Sequence, residues 1–396
     1  MVIHSTGINM GHAYIIDAIR TPMGRKNGSL SNVRSDDLAA VTLKAIVERS
    51  GVDPNEIEDV VMGCVTQVGE QGLNIARNAS LAAGYPVDVT GTSVNRLCGS
   101  SQQAFNFAAM GVASGHQDLV VAAGVESMTR VPMGSDMFLN GEMAMPSDAV
   151  QWRFSIVPQG ISAELVAQRF ELGRTELDEF SLESHSRAAA AQDAGRFDRE
   201  IVGLDVQTEE KGEFFFDKDE GIRRGSTIEK LASLRPAFQD DGVITAASSS
   251  QISDGAGAIL VASEAAVKKY GLKPRAKVTS VATAGVDPTI MLTAPIGATR
   301  KALGKAGLGI GEMGVIEINE AFASVALGCG RALEFDFDKV NVNGGAIALG
   351  HPLGCSGVRL LTTLLHAMED RDQRYGLSTM CIGFGQGIAT IIDRDV

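Results

Sequence analysis

A chain of 396 residues, 44% hydrophobic and with 45 glycines, is long enough to bury a large core and to divide into two or three domains. Its formal net charge of -13 argues against a general nucleic-acid binder, because affinity for polyanions rests on neutralising phosphates with Lys and Arg. Five widely spaced cysteines (Cys64, Cys98, Cys329, Cys355, Cys381) with no C-x-x-C pair point to neither a disulfide framework nor a zinc site, so no metal is expected.

The opening MVIHSTGINMGHAYIIDAIRTP lacks a basic segment followed by an apolar run of signal-peptide length. No stretch approaches the ~18 consecutive apolar residues of a membrane span, and the final IIDRDV carries no peroxisomal or retention tripeptide. A reducing, cytoplasmic setting is the expectation.

Short apolar runs alternate with stretches of helical periodicity, the rhythm of a layered α/β architecture. AYIIDAIRTP reads as a strand stopped by Pro22, and SDDLAAVTLKAIVERSG as a helix with Ser35 as N-cap and Gly51 as the stop. IEDVVMGCVT is a strand, LNIARNASLAAG a helix, and TGTSVNRLC a strand that delivers Cys98 to a turn. Helical pattern then covers 101–113, and DLVVAAGVES returns to a strand. Residues 128–249 are richer in Met, charge and irregular sequence. They read as a loop-rich insertion with helices at ISAELVAQRF and ELDEFSLESHSRAAAAQ, placed to cover a site. After Asp254 the rhythm resumes: GAGAILVAS and RAKVTSVATAG as strands flanking a short helix, then a helix near IGATRKALGKAG. In GVIEINEAFASVALGCGRAL a strand turns at Asn319 into a helix. NVNGGAIALGHPLGCSGVRLLTTLLHAMED is a glycine-rich loop feeding a helix, and STMCIGFGQGIATIID is a strand pair with a tight glycine turn. Polar residues at strand-to-helix turns in both halves, Cys98 and Asn319, hint at a duplicated fold.

Cys98 precedes a helix whose first turn would aim free N–H groups at the sulfur, a position expected to depress a cysteine pKa. An isolated cysteine is more often an inert core residue; its company decides. His351, flanked by glycines and followed by Pro352, is presented from a constrained loop, where a neutral imidazole can accept a thiol proton. Cys381 enters a second glycine turn. One nucleophile plus one separate acid/base group fits two thiols and one imidazole on loops. Asn319 offers an amide for a water or an oxyanion, and Glu320 a carboxylate to orient neighbours.

NRLCGSSQQAF, ISDGAGA, INEAFA, NVNGGAIALGHPLGCSG and the Cys381 glycine turn, in this order across residues 92–387, resemble the signature blocks of the thiolases. The resemblance runs from IIDAIRTPMG to the last strand, and the second cysteine separates it from the related ketosynthases. It implies a five-layer α/β/α/β/α core of two similar halves with an inserted loop domain: 1–127, completed by about 250–275; 128–249, binding CoA; and 276–396. It implies CoA-dependent acyl transfer that cleaves, or in reverse forms, a 3-ketoacyl-CoA. Cys98 would be the nucleophile, His351 its base and Cys381 the second acid/base. His351 with a water on Asn319 would hold one oxyanion, and the Cys98 and Gly383 N–H groups the other. CoA would enter as co-substrate, with Arg223 near its nucleotide end and Phe238, Ala246, Ser250, Ala321 and Phe322 along the pantetheine. A homodimer or homotetramer is implied. The alternatives are a biosynthetic acetoacetyl-CoA-forming acetyltransferase, a non-catalytic acyl-CoA or lipid binder, and a ketosynthase acting on carrier-protein thioesters.

Two departures from the family pattern stand out. Gly383-Phe384-Gly385 replaces three successive glycines, and a phenylalanine there is expected to resist positive φ and to occupy volume beside the acyl site. Pro158-Gln159-Gly160 stands where short-chain thiolases commonly carry His-Met-Gly, which argues against simple acetoacetyl-CoA specificity. Met133, Met137, Met143 and Met145 are expected in core or subunit packing.

Overall fold

The computed structural model describes residues 11–396, so the leader reading falls partly on residues outside the described ones. The first half is built from β1 (Ala13–Arg20), α1 (Ser35–Ser50), β2 (Asp59–Gly63), α2 (Ile75–Ala82), β3 (Thr90–Val94), α3 (Ser100–Ala113), β4 (Leu119–Ser127) and, after the insertion, β5 (Ser253–Ser263). The insertion carries α4 (Gln159–Arg169) and α5 (Arg174–Asp193). The second half follows with β6 (Ala276–Gly285), α6 (Ala294–Ala306), β7 (Val315–Ile318), α7 (Ala323–Leu333), α8 (Ser356–Asp370), β8 (Tyr375–Ile382) and β9 (Gln386–Asp393).

The strands lie in the order β7-β8-β9-β6-β1-β5-β4-β2-β3, and the two-residue strand Gly24–Arg25 pairs with β5. The halves meet between β1 and β6 at only two residue pairs, Tyr14 with Lys277 and Ile15 with Ala276. Period-two alternation assigns the faces. Val60, Met62, Val121 and Ala123 turn outward to α1 and α2, whereas Val61, Val120 and Ala122 turn inward to α3 and α8. On the other side α6 covers β6, β8 and β9, with α7 beside it. The result is five layers with α3 and α8 in the middle. Every residue of α8 from Ser356 to Met368 is buried, the pattern of a helix with no solvent face.

Glycine lets the two central helices touch at their first turns. A Cβ on Gly357 would lie 2.1 Å from the backbone nitrogen of Gln102, and one on Gly124 would lie 2.4 Å from Ser101 Cβ. Across the gap the Val358 N–H donates to Ser101 Oγ at 3.0 Å. The loops entering α3 and α8 are thereby forced together. Element order then pairs the Cys98 turn with the turn before α8, which holds His351. Asn319, which follows β7, is the counterpart of the turn after β2. Cys98 and Asn319 therefore occupy different positions within the two similar halves.

A buried ion cluster docks the insertion. Arg20, fully buried at the end of β1, donates from Nε to Glu200 at 2.7 Å and from both Nη atoms to Asp219 at 2.7 and 2.9 Å. The helices expected in the insertion are present, along with a hairpin (Leu204–Thr208 with Gly212–Phe216) that the sequence reading did not anticipate. Met133, Met143 and Met145 are exposed, so this chain's own core does not take them up. Ser35 is the first helical residue of α1 and not its cap, because its hydroxyl is spent on Glu70 and Gln71; Gly51 does stop the helix, at φ 69°.

Because a methyl group at Gly357 meets main chain and not a movable side chain, Gly357→Ala should destabilise the protein by about 3 kcal/mol. Differential scanning calorimetry should then show a melting midpoint several degrees below wild type. An unchanged midpoint would mean the helices have room to spare.

Candidate active site

Past β3 the chain turns sharply before α3. Leu97 takes a left-handed φ of 46°, and Ser100 Oγ locks the turn by accepting from Arg96 N–H and donating to the Leu97 carbonyl. This projects Cys98, 5% exposed, into a cluster with Val65, Met128, Leu353 and Ile382. Cys381 is the penultimate residue of β8 and pairs with Gly387 of β9, so the hairpin turn holds Gly383 over the Cys98 sulfur. The Gly383 N–H, the Cys98 N–H and the Gln159 side-chain amide lie near enough to that sulfur to favour its thiolate, against the effect of burial.

These donors do not make Cys98 acidic. Burial pushes its thiol up to about 11, against the lowering expected from the helix N-terminus, because removing a thiolate from water outweighs partial charges at a helix end. Burial holds Cys381 well above its ordinary value too, and the nearby Cys98 adds to the effect. Both sulfurs are neutral thiols at rest. Phe384 takes the positive φ it was expected to resist, 58°, and is 46% exposed, while Gly385 supplies the other left-handed position. The Gly383 amide keeps its place.

His351 is 5% exposed on the loop before α8. Its Nδ1 lies 2.5 Å from Ser356 Oγ, and that hydroxyl donates its hydrogen to the Pro352 carbonyl at 2.8 Å. The hydroxyl therefore accepts from Nδ1–H, which leaves Nε2 as the unprotonated, accepting nitrogen. Asn319 Nδ2 faces that atom at 3.3 Å, and Asn319 itself is fixed to the end of β8 through its N–H and the Thr379 carbonyl. Burial, then the Arg359 charge, lowers the imidazole to about 3, so it is neutral. Arg359 is in turn paired with buried Glu317, whose carboxyl burial raises to about 8.

Two carboxylates hold this arrangement. Glu320 accepts from Ser184 Oγ, Asn341 Nδ2 and Ile347 N–H, which binds the insertion and the His351 loop to the end of β7. Glu126, at the end of β4, accepts from the Val65, Thr66 and Gly354 N–H groups, and so ties the wall of the Cys98 site to the His351 loop. Leu353 of that loop packs in the Cys98 cluster.

The residues expected along a pantetheine fall mostly together. Phe238 and Phe322 meet edge to face at 5.8 Å, and the Ser250 N–H donates to the Ala321 carbonyl. Ala321 and Phe322 are buried, whereas Ala246 is exposed on the neighbouring turn. Arg223 stands apart and exposed; its N–H donates to His185 Nδ1, and neighbouring Gly221 joins the His351 loop through Gln251. Sequence reasoning missed Glu126 and Ser356. It noted Gln159 only as a departure. Nothing in the local pattern marks Glu126 as special, since its partners come from three separate segments. Ser356, five residues from His351, was within reach of spacing. Among the described residues, no group of three or more His, Cys, Asp or Glu side chains is placed to hold a metal, and no helix is long and apolar enough to cross a membrane.

The family described as "Thiolase, N-terminal domain" matches residues 13–265, and "Thiolase, C-terminal domain" matches 272–394. A 3-ketoacyl-CoA thiolase of Aeromonas salmonicida is 48% identical over 391 residues, covering 97% of this chain and all of that one. A steroid 3-ketoacyl-CoA thiolase of Mycobacterium tuberculosis is 46% identical over 395 residues, covering 98% and 95%. The crystal structure of the Bacillus anthracis acetyl-CoA acetyltransferase superposes with a TM-score of 0.90 at 38% identity, covering 98% of this chain and all of that one.

The depressed imidazole has a measurable consequence. The unfolded chain protonates His351 near 6.5 and the folded chain only near 3, so between these values the unfolded state binds the extra proton and stability falls as pH falls. Thermal melts at pH 7 and pH 5 should show a smaller drop for His351→Asn than for wild type, and equal drops would contradict the buried neutral imidazole. Ser356→Ala, which frees the tautomer, should lower kcat about tenfold or more while leaving KM near wild type; a change confined to KM would place Ser356 in binding.

Proposed function

The chain belongs to the thiolase family, and on that premise we propose that it cleaves 3-ketoacyl-CoA with coenzyme A through an acyl-enzyme on Cys98. The observation that carries the reading is the gathering of two buried thiols and a Gly383 amide at one point, with the tautomer-fixed imidazole on the adjoining loop.

As the keto carbon arrives, His351 Nε2 takes the Cys98 proton and the sulfur adds to that carbon. The developing oxyanion is met by His351, now protonated, and by a water on Asn319. Collapse breaks the bond between the second and third carbons; Cys381 gives its proton to the departing acetyl-CoA carbanion, which leaves as acetyl-CoA. The Cys381 thiolate then takes the proton of incoming CoA, whose sulfur attacks the Cys98 thioester. The Cys98 and Gly383 N–H groups hold that second oxyanion, and acyl-CoA departs. The Cys98 sulfur regains its proton from His351. Neutral resting thiols suit this sequence, because each charge appears only when a donor and a substrate are both in place.

In this reading Arg223 meets the nucleotide end of CoA. Phe238, Ala246, Ser250, Ala321 and Phe322 line the pantetheine, and residues 128–249 act as the CoA-binding loop domain between halves 1–127 and 276–396. A homodimer or homotetramer and a cytoplasmic location belong to the same proposal. Thiolytic cleavage is favoured over acetoacetyl-CoA synthesis because 3-ketoacyl-CoA thiolases match at 46–48% identity and the acetyltransferase at 38%.

Cys98→Ser should lower thiolysis of 3-ketoacyl-CoA by roughly a thousandfold or more while CoA binding, followed by calorimetry, persists. Cys381→Ala should still show an acetyl group on the Cys98 peptide after incubation with acetyl-CoA, yet fail to complete turnover. A wild-type Cys98 peptide that stays unmodified would reject covalent catalysis. Thiolysis rates across acetoacetyl-CoA and longer or ring-bearing substrates should favour the longer ones; preference for acetoacetyl-CoA would return the biosynthetic assignment.

A further inference from the structure

The first residue of α4, Gln159, enters the Cys98 site from the insertion. A Cβ built on Gly383 would stand 3.5 Å from Gln159 Nε2 and 3.1 Å from Leu97 Cδ1, so the amide lies over the face of the glycine whose N–H meets the sulfur. The next residue, Gly160, is held under Phe238, where any Cβ would come within 2.0 Å of the ring. That contact fixes the start of α4. Glu164 reinforces it by accepting from the Val243 and Ile244 N–H groups on the neighbouring segment. Gln159 is half-buried.

We propose that Gln159 is a further catalytic residue, its side-chain N–H donating to the Cys98 sulfur and stabilising the thiolate whenever the proton or the acyl group leaves it. The donation accompanies the Gly383 and Cys98 main-chain donors and opposes the effect of burial on the thiol. It is supplied by a side chain, so it varies with sequence where the main-chain donors cannot. An apolar residue of the same length would fill the space without donating. The insertion thus acts on the nucleophile itself and not only on CoA.

The inference rests on Cys98 being the nucleophile, and the test separates the two. The rate of iodoacetamide alkylation of Cys98, followed peptide by peptide, is measured against pH for wild type, Gln159→Met and Gln159→Glu. Loss of one charge-assisted hydrogen bond should move the midpoint for Gln159→Met up by about one pH unit, which is about tenfold in rate below the midpoint. Gln159→Glu, placing a carboxylate beside the thiolate, should move it further in the same direction. kcat for thiolysis should fall with the alkylation rate. Superimposable profiles for wild type and either soluble variant would overturn the role of Gln159. If wild-type Cys98 were neither alkylated nor acylated, the nucleophile assignment itself would fail. If Gln159→Met did not fold, the Gln159→Glu profile alone would decide.

Discussion

The first turns of α3 and α8 touch main chain to main chain, and the rest of the site depends on that contact. Gly357 against Gln102, and Ser101 against both Gly124 and Val358, leave no space for an intervening side chain. Each helix is entered by a loop that carries a candidate site residue. Bringing the helix starts together brings Cys98 and His351 to one neighbourhood although 253 positions separate them in the chain. The same closeness buries the two sulfurs, which is why both rest as neutral thiols.

Burial sets the electrostatic character of the site. In a medium of low polarisability an unpaired charge is disfavoured, so thiols rise and the imidazole falls. The protein answers with fixed dipoles instead of counter-charges: the N–H groups of Cys98 and Gly383, the Asn319 amide, the Ser356 hydroxyl that accepts from His351 and, on the proposal above, the Gln159 side chain. Such dipoles need no reorganisation as charge develops, and this is the arrangement that favours a transition state over its ground state. The two nearby carboxylates, Glu126 and Glu320, are spent on main-chain N–H groups and neutral side chains. They serve as clamps between segments.

The insertion is attached to both halves by polar contacts of different kinds. Arg20 with Glu200 and Asp219 fixes it to β1 inside the protein, where removing one partner would strand a buried charge. Ser184, through Glu320, fixes it to the end of β7. Between these anchors lie the Phe238 and Phe322 pair and the start of α4. A segment whose sequence looks irregular is therefore anchored to both halves where it meets the site, and it exposes Met133, Met143 and Met145 elsewhere.

The sequence by itself determined the strand and helix order, because hydrophobic period and glycine or proline stops are local properties. It also singled out Cys98, His351 and Cys381, which stand beside glycines in contiguous motifs, and Asn319 in the contiguous INEAFA turn. Only the tertiary structure decided how those residues behave. The rise of the Cys98 thiol comes from burial by Leu353, Met128 and Ile382, which arrive from distant segments, and it outweighs the helix end that the local pattern displayed. Phe384 takes a left-handed φ in the turn between β8 and β9, which its residue type does not announce. Glu126 was invisible as a site residue, and Gln159 was marked only as a departure from the family pattern, for the same reason: their partners are near in space and far along the chain, and pairwise contact of that kind is fixed by packing and not by period.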